Sequence, residues 1–206
     1  MSVSINSLAS GRRAVNRKNN RDAILDAARD AFAEIGYSDT TVRDIIRRTD
    51  LASGTFYNYF DSKESVFNAL SDKIGTELRQ LLRDVRQRAS SFDSFIEAMF
   101  YTYFSYYANN RENYMLTRSN RGCDGINQVM QGPQVRAGLA ELNDDLHKAI
   151  AEGFIPSLDV DFLTASLGGV AFSILDEMME REPLDPEAAA QFATRLFMTG
   201  VRGKNG

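Results

Sequence analysis

The chain is poor in the residues that build rigid chemical sites. It has one cysteine, Cys123, so no disulfide can form within it and a reducing cytoplasm is the expected location. It has one histidine, His147, and no tryptophan. That excludes a multi-histidine or Cys/His metal cluster and leaves a Cys123–His147 pair as the sole route to thiol catalysis. Neither residue lies in a catalytic motif: Cys123 falls in the loop sequence Arg-Gly-Cys-Asp-Gly, and His147 stands off the apolar stripe of its segment, as a surface residue does. Long hydrophobic runs are missing too. The longest uncharged apolar stretch, Phe162 to Leu175, is 14 residues, too short to span a bilayer, and no apolar leader opens the chain. The expectation is a soluble intracellular protein with no metal and no cofactor.

Two further absences are local. Residues 1–132 contain no proline; the four prolines are Pro133, Pro156, Pro183 and Pro186. Residues 1–21 contain no acidic residue, yet carry Arg12, Arg13, Arg17, Lys18 and Arg21. The net charge of the whole chain is −4, which taken alone argues against nucleic acid. Divided by region, residues 1–65 hold 10 basic and 9 acidic side chains, and the remainder hold 14 and 19. A near-neutral head with a basic start, on an acidic body, implies two regions with different partners.

What is present is helical periodicity almost throughout, with no period-2 strand pattern, so the fold class is all-α with about nine helices. The first spans about Asn20 to Ile35, with Ile24, Ala28, Ala31 and Ile35 on one face and Gly36 as its stop. Thr40 or Thr41 caps a short second helix carrying Val42, Ile45 and Ile46. Asp50-Leu51-Ala52 turns into a third, Ser53 to Tyr59, and Asp61-Ser-Lys-Glu64 has the form of a capping box opening a long helix through Val85. Further helices are expected near 92–108, 111–120, 133–152, 159–181 and 186–201, with Pro133 and Pro186 at helix starts. Residues 1–19 and 203–206 read as disordered ends.

Two short helices joined by a three-residue turn describe a helix-turn-helix, whose second helix enters the major groove of DNA. Ser53, Gly54 and Thr55 are small enough to bring backbone close to base edges. Phe56 and Phe60, four apart, anchor that helix to a core with Ile24, Ala28, Phe32 and Ile45. Lys63 follows where a backbone phosphate would lie.

The stretch Arg21-Asp-Ala-Ile-Leu-Asp-Ala-Ala to Gly36-Tyr37, then Thr40-Thr-Val-Arg-Asp-Ile, then Ser53-Gly-Thr-Phe-Tyr-Asn-Tyr-Phe-Asp-Ser-Lys-Glu64, resembles the DNA-binding domain of the TetR family of bacterial repressors. The resemblance covers about residues 20–67. It implies a homodimer in which each chain has a DNA-binding head, residues 20–66, and an effector-binding and dimerisation body, residues 67–206. Carried over, the family's base contacts fall on Arg43, Ser53, Gly54, Thr55 and Asn58, and its phosphate contacts on Thr41, Tyr57, Tyr59 and Lys63. The chain departs from the family at Asp50, where the turn usually has Gly, and at Ala52, where Ser often caps the helix. Asp tolerates a left-handed backbone better than most residues, and loss of the cap weakens the helix start by about 1 kcal/mol. The basic segment ahead of the head is either a solvated tail or an arm that binds phosphates or the minor groove.

In the body, Phe92 to Tyr107 holds eight of the chain's 21 Phe and Tyr residues, too many for one helix face. Some must face the core and others a cavity or partner. The resemblance places an effector cavity among the central helices, and the expected lining is Phe95, Met99, Tyr103 and Tyr114 with the helix at 133–152. No cluster of charges suits a polar effector, so an apolar, acyl-type ligand is favoured. Phe162 to Leu175, with Gly168-Gly169 at its centre, reads as a helix buried on most sides. With Phe192, Leu196 and Phe197 it would form a four-helix dimer interface through Phe162, Gly168, Gly169, Phe172, Phe192 and Leu196, or else be buried within one chain. The expected function is a ligand-released repressor on a palindromic duplex. The alternatives are a corepressor-dependent or activating regulator, or an all-α carrier or enzyme with a vestigial helix-turn-helix. Enzymatic activity and membrane association are not expected.

Overall fold

Gly36 and Gly153 end two helices by adopting left-handed backbone, φ +89° and +77°, which costs glycine nothing. They belong to a computed structural model that describes residues 5–119 and 132–202. Cys123 lies outside the described residues, as do 203–206. Among the described residues there are nine helices: α1 Ile5–Ile35, α2 Val42–Ile46, α3 Ser53–Phe56, α4 Lys63–Arg88, α5 Phe92–Asn109, α6 Arg111–Ser119, α7 Pro133–Ala151, α8 Val160–Met179 and α9 Pro186–Arg202. The all-α expectation holds, and most boundaries fall within two residues of the periodicity.

The start of α1 is a correction. Residues 5–19, expected to be disordered, continue the helix without a break. No proline interrupts the segment and Gly11 is its only glycine before Gly36. A helix already nucleated over 20–35 extends through Ala, Leu, Arg and Lys at little cost.

The chain forms two compact units, residues 5–73 with 112–119, and residues 74–111 with 132–202. The division falls inside α4, between Lys73 and Ile74, rather than at 66/67, and α6 groups with the first unit. In that unit Ile24, Leu25, Ala28, Ala31 and Phe32 of α1 are buried, as are Ile45 and Ile46 of α2, Phe56, Phe60, and Val66, Phe67 and Leu70 of α4. Ile35 is the exception on its stripe and is exposed. Tyr37 bridges α1 and α4, its ring 5.4 Å from Phe32 and 4.7 Å from Phe67. The buried rings of Phe32 and Phe67 contribute about 1.5–3 kcal/mol each. Thr40 is buried and donates its hydroxyl to the Gly36 carbonyl at 2.7 Å, which fixes the α1–α2 corner. It is therefore Thr41 that caps α2.

The start of α4 is capped one residue later than the sequence suggests. Ser62 and Ser65 exchange backbone-to-hydroxyl hydrogen bonds at 3.2 and 3.1 Å, so the box is Ser62/Ser65 and not Asp61/Glu64. The reason is register: α4 begins at Lys63, which makes Ser62 the cap and Ser65 its third helical residue.

In the second unit α5 packs against α8 and α9, α7 against α8, and α8 against α9. Six of the eight aromatics of α5 are buried: Phe92, Phe95, Phe100, Phe104, Tyr106 and Tyr107. Tyr106 donates its hydroxyl to Glu77 at 3.1 Å, and Tyr101 stands exposed. α8 is long and apolar enough to cross a membrane by length and composition, and it packs among α5, α7 and α9. It is not buried on most sides: Phe162 is 75% exposed, and Ala165, Ser166 and Ser173 are exposed with it.

An ionic stripe fastens α4 to α7. Arg79 and Arg83 donate to Glu141 at 2.8 and 2.6 Å, and Arg86 pairs with Asp145 and, at 3.4 Å, with Glu141. At the stripe's upper end a Cβ on Gly75 would come within 2.5 Å of the Gln134 side chain, so only glycine lets the helices approach this closely.

Candidate nucleic-acid interface

The second and third helices are short, and their geometry is set by side-chain hydrogen bonds more than by length. Thr41 and Asp44 form a full capping box: the Thr41 amide donates to Asp44 Oδ2 at 2.9 Å and the Asp44 amide to Thr41 Oγ1 at 3.2 Å. Thr41's hydroxyl hydrogen bond, followed by its amide, holds the Asp44 carboxyl below its ordinary range. Arg48, just beyond α2, pairs with Glu34 of α1, and its hydrogen bond lowers the Glu34 pKa.

The turn between α2 and α3 is made by Thr49, which the sequence motif does not single out. Its hydroxyl donates to the Ile46 carbonyl at 2.9 Å and accepts the Leu51 amide at 3.2 Å. No described non-glycine residue has positive φ, so Asp50 does not take the left-handed conformation expected of it. A threonine just past a helix end, able to bond back to that helix, was the available signal.

α3 starts at Ser53 with Ala52 as its N-cap and no side-chain cap bond. Helical hydrogen bonding stops earlier than expected. Beyond Phe56 the chain tightens, with Asn58 and Tyr59 amides donating three residues back, to Thr55 and Phe56 at 3.2 and 2.9 Å. Buried Phe56 and Phe60 hold this element down, and the opposite side presents Arg43, Ser53, Gly54 and Asn58 to solvent, with Thr55 and Tyr59 half-buried. Tyr57 is 62% exposed, so its ring, edge-on to Phe56, is not core.

Gly54 is informative. A Cβ there would meet nothing within 4 Å, and its φ is not positive, so neither packing nor backbone conformation in this chain requires glycine. Lys63 is half-buried and already engaged. It donates to the Tyr37 and Ser38 carbonyls at 2.6 and 3.0 Å and stands 4.6 Å from the Tyr37 ring centre. An ammonium carries three donors, two of which serve these carbonyls.

The expected effector-lining residues do not fall in one unit. Phe95, Met99 and Tyr103 lie four apart along α5 in the second, Phe95 buried and the other two half-buried. Tyr114 is buried in α6 of the first. Of the expected interface residues, Phe162, Phe192 and Leu196 are 75%, 56% and 51% exposed, while Phe172 is buried within the chain. Gly168 and Gly169 are half-buried, and a Cβ on Gly169 would meet nothing within 4 Å. His147 is exposed, its Nδ1 3.0 Å from the Asn143 carbonyl.

The geometry is that of a helix-turn-helix head joined to a separate helical unit. Residues 24–70 match the family described as bacterial regulatory proteins, tetR family. Residues 24–70 are thus similar to the DNA-binding region of that family. An uncharacterised HTH-type transcriptional regulator of Haemophilus influenzae is 30% identical over 134 residues, 64% of this chain and 65% of the relative, so the match spans less than two thirds of that relative. Among solved structures, the fatty acid degradation regulator FadR of Bacillus halodurans superposes with TM-score 0.77 at 21% identity, covering 89% of this chain and 97% of that one. FadR of Bacillus subtilis, in complex with stearoyl-CoA, superposes with TM-score 0.76 at 23% identity, covering 87% and 98%. These two likenesses establish the shared fold.

Proposed function

We propose that the protein is a dimeric transcriptional repressor that reads a palindromic duplex through α2 and α3 and is released by a small apolar effector. Gly54 carries the reading. A helical glycine costs about 0.5–1 kcal/mol relative to alanine, and nothing inside this chain requires it. A duplex that must come close to the backbone would account for it, at a position flanked by polar side chains open to solvent. Arg43, Ser53, Thr55 and Asn58 surround it and have the donors and acceptors that base edges need. Thr41, Tyr57, Tyr59 and the third donor of Lys63 are assigned to phosphates, which position the head without reading sequence.

The body would use the half-buried side of α5, with Met99 and Tyr103, for an apolar chain. The stearoyl-CoA complex of the Bacillus subtilis FadR supports an acyl-type ligand, because the fold is shared. The open faces of α8 and α9, with Phe162, Gly169, Phe192 and Leu196, are assigned to the two-fold contact, so that one dimer spans two half-sites. Effector binding would change the separation of the two heads and so lower affinity for the duplex. A cytoplasmic location follows from this role.

Selection of bound duplexes from a random pool, repeated with a long-chain acyl thioester, tests the reading. The expected product is a palindrome bound with affinity that falls steeply in salt and is abolished by the thioester. Asn58→Ala should relax base preference at one position, and Tyr57→Phe should weaken all sequences alike. Recovery of no sequence, or binding indifferent to salt, would overturn it.

A further inference from the structure

Among the described side chains of α1, buried positions begin at Ile24, and residues 15–19 are exposed. Residues 5–19 extend the helix by about 22 Å at the α-helical rise, the length of about six base pairs. Arg13, Arg17 and Arg21 recur every four residues, one stripe of the helix, with Arg12 and Lys18 beside it and no acid before Asp22. The stripe leads back to the reading element. Arg21 places its guanidinium 5.2 Å from the ring centre of Phe60, four residues beyond Phe56 of α3.

Apart from Arg21 on Phe60, this run of cations is self-repelling on an isolated helix. Like charges four apart on a helix repel by a few tenths of a kcal/mol each. Nor does the segment suit a lipid surface: Val15 is the one large apolar residue between Leu8 and Ile24. A polyanion would relieve the repulsion along the whole stripe.

We infer that residues 5–21 form a second DNA-contacting element, a basic helix that lies along the phosphates flanking the half-site read by α3. The helical conformation selects this mode over the threaded arm. A helix with side chains is about 10–12 Å across, and the minor groove is about 6 Å wide, so the segment tracks the backbone from outside. It adds affinity and salt dependence without base preference. The inference rests on the proposed DNA-binding function of the head.

The test uses the full chain with Arg12, Arg13, Arg17 and Lys18 changed together to glutamine, which keeps helix propensity; Arg21 is left on Phe60. Parent and variant are titrated against the selected palindrome, once with long flanks and once trimmed to the half-sites. On the flanked duplex the variant's plot of log affinity against log salt should be shallower than the parent's. The slope should fall by about 0.9 for each phosphate that the four side chains no longer neutralise, with base preference unchanged. Trimming the flanks should shift the parent's slope equally and leave the variant's alone. Equal slopes for parent and variant on flanked DNA would overturn this inference while leaving the head's role intact. So would a difference between them that persists unchanged on the trimmed duplex. Failure of both proteins to bind any duplex would overturn the repressor reading and this inference with it.

Discussion

At the scale of single residues, Gly54 separates stability from function. Its replacement meets no steric obstacle in the chain, so Gly54→Ala should leave thermal stability unchanged or raised by about 0.5–1 kcal/mol. The same change should reduce affinity for the selected duplex about tenfold, the scale of a single side-chain interaction with a base edge. A melting curve beside a DNA titration checks both halves. Lys63 shows the opposite case, because it ties Tyr37 and Ser38 to the start of α4 as well as facing the proposed phosphate side. Its residue type and position were legible in the sequence. The two carbonyls it holds were not, since they lie 25 and 26 residues away. The packing of Tyr37 on Phe67 brings them near.

At the scale of elements, α4 depends on its ion-pair stripe with α7. Hydrogen bonds from Arg83, and then from Arg79, outweigh burial and hold the Glu141 carboxyl down at about 2, against an ordinary value of 4.5. A carboxylate with a depressed folded pKa stabilises the fold fully above the ordinary value and loses that contribution as pH falls through the depressed one. Glu141→Gln should therefore lower stability at neutral pH by about 1.5–3 kcal/mol, the range for hydrogen bonds to charged groups. Its deficit against the parent should shrink as pH drops from 4.5 toward 2. Asp145 shifts upward because burial exceeds the effect of Arg86, and so acts in the opposite sense. The charge of Glu141 is one cause of that upward shift, so the difference between variant and parent, followed by chemical denaturation at several pH values, reads the loss at Glu141 together with the easing of Asp145. The stripe itself was invisible in the sequence: arginines at 79, 83 and 86 read equally as a solvated face until Gly75 lets α7 approach.

At the scale of the whole molecule, the open faces of α8 and α9 are the proposed site of assembly. Phe162 and Leu196 are exposed in one chain, so Phe162→Asp or Leu196→Asp should fold with little loss of stability. Either should convert a dimer to a monomer in sedimentation, and weaken binding to a palindrome far more than to an isolated half-site. A monomeric parent at micromolar concentration would remove the two-fold arrangement from the functional reading. Phe162, Phe192 and Leu196, grouped from the sequence as interface residues, are open to solvent in one chain, whereas Phe172, grouped with them, is buried. Phe172 is only ten residues along the same helix, and whether a position on a nearly uniformly apolar helix points in or out depends on where α5 and α9 pack.

Local chemistry was decided by sequence alone: helical period, glycine stops, proline starts, and the order of small, aromatic and basic residues from Thr40 to Lys63. Each of these acts over a few residues, within reach of a single turn, so the chain's neighbours suffice to specify it. The lone cysteine and histidine likewise needed no coordinates to make metal and thiol chemistry poor expectations. Tertiary structure decided what depends on partners distant along the chain: which of two threonines caps α2, the Gly75 approach and the arginine stripe. It also changed the meaning of the chain's most one-sided absence. Of the acid-free first 21 residues, compatible with a tail or an arm, residues 5–21 form the leading turns of α1, because a helix already fixed by its buried end propagates where nothing stops it.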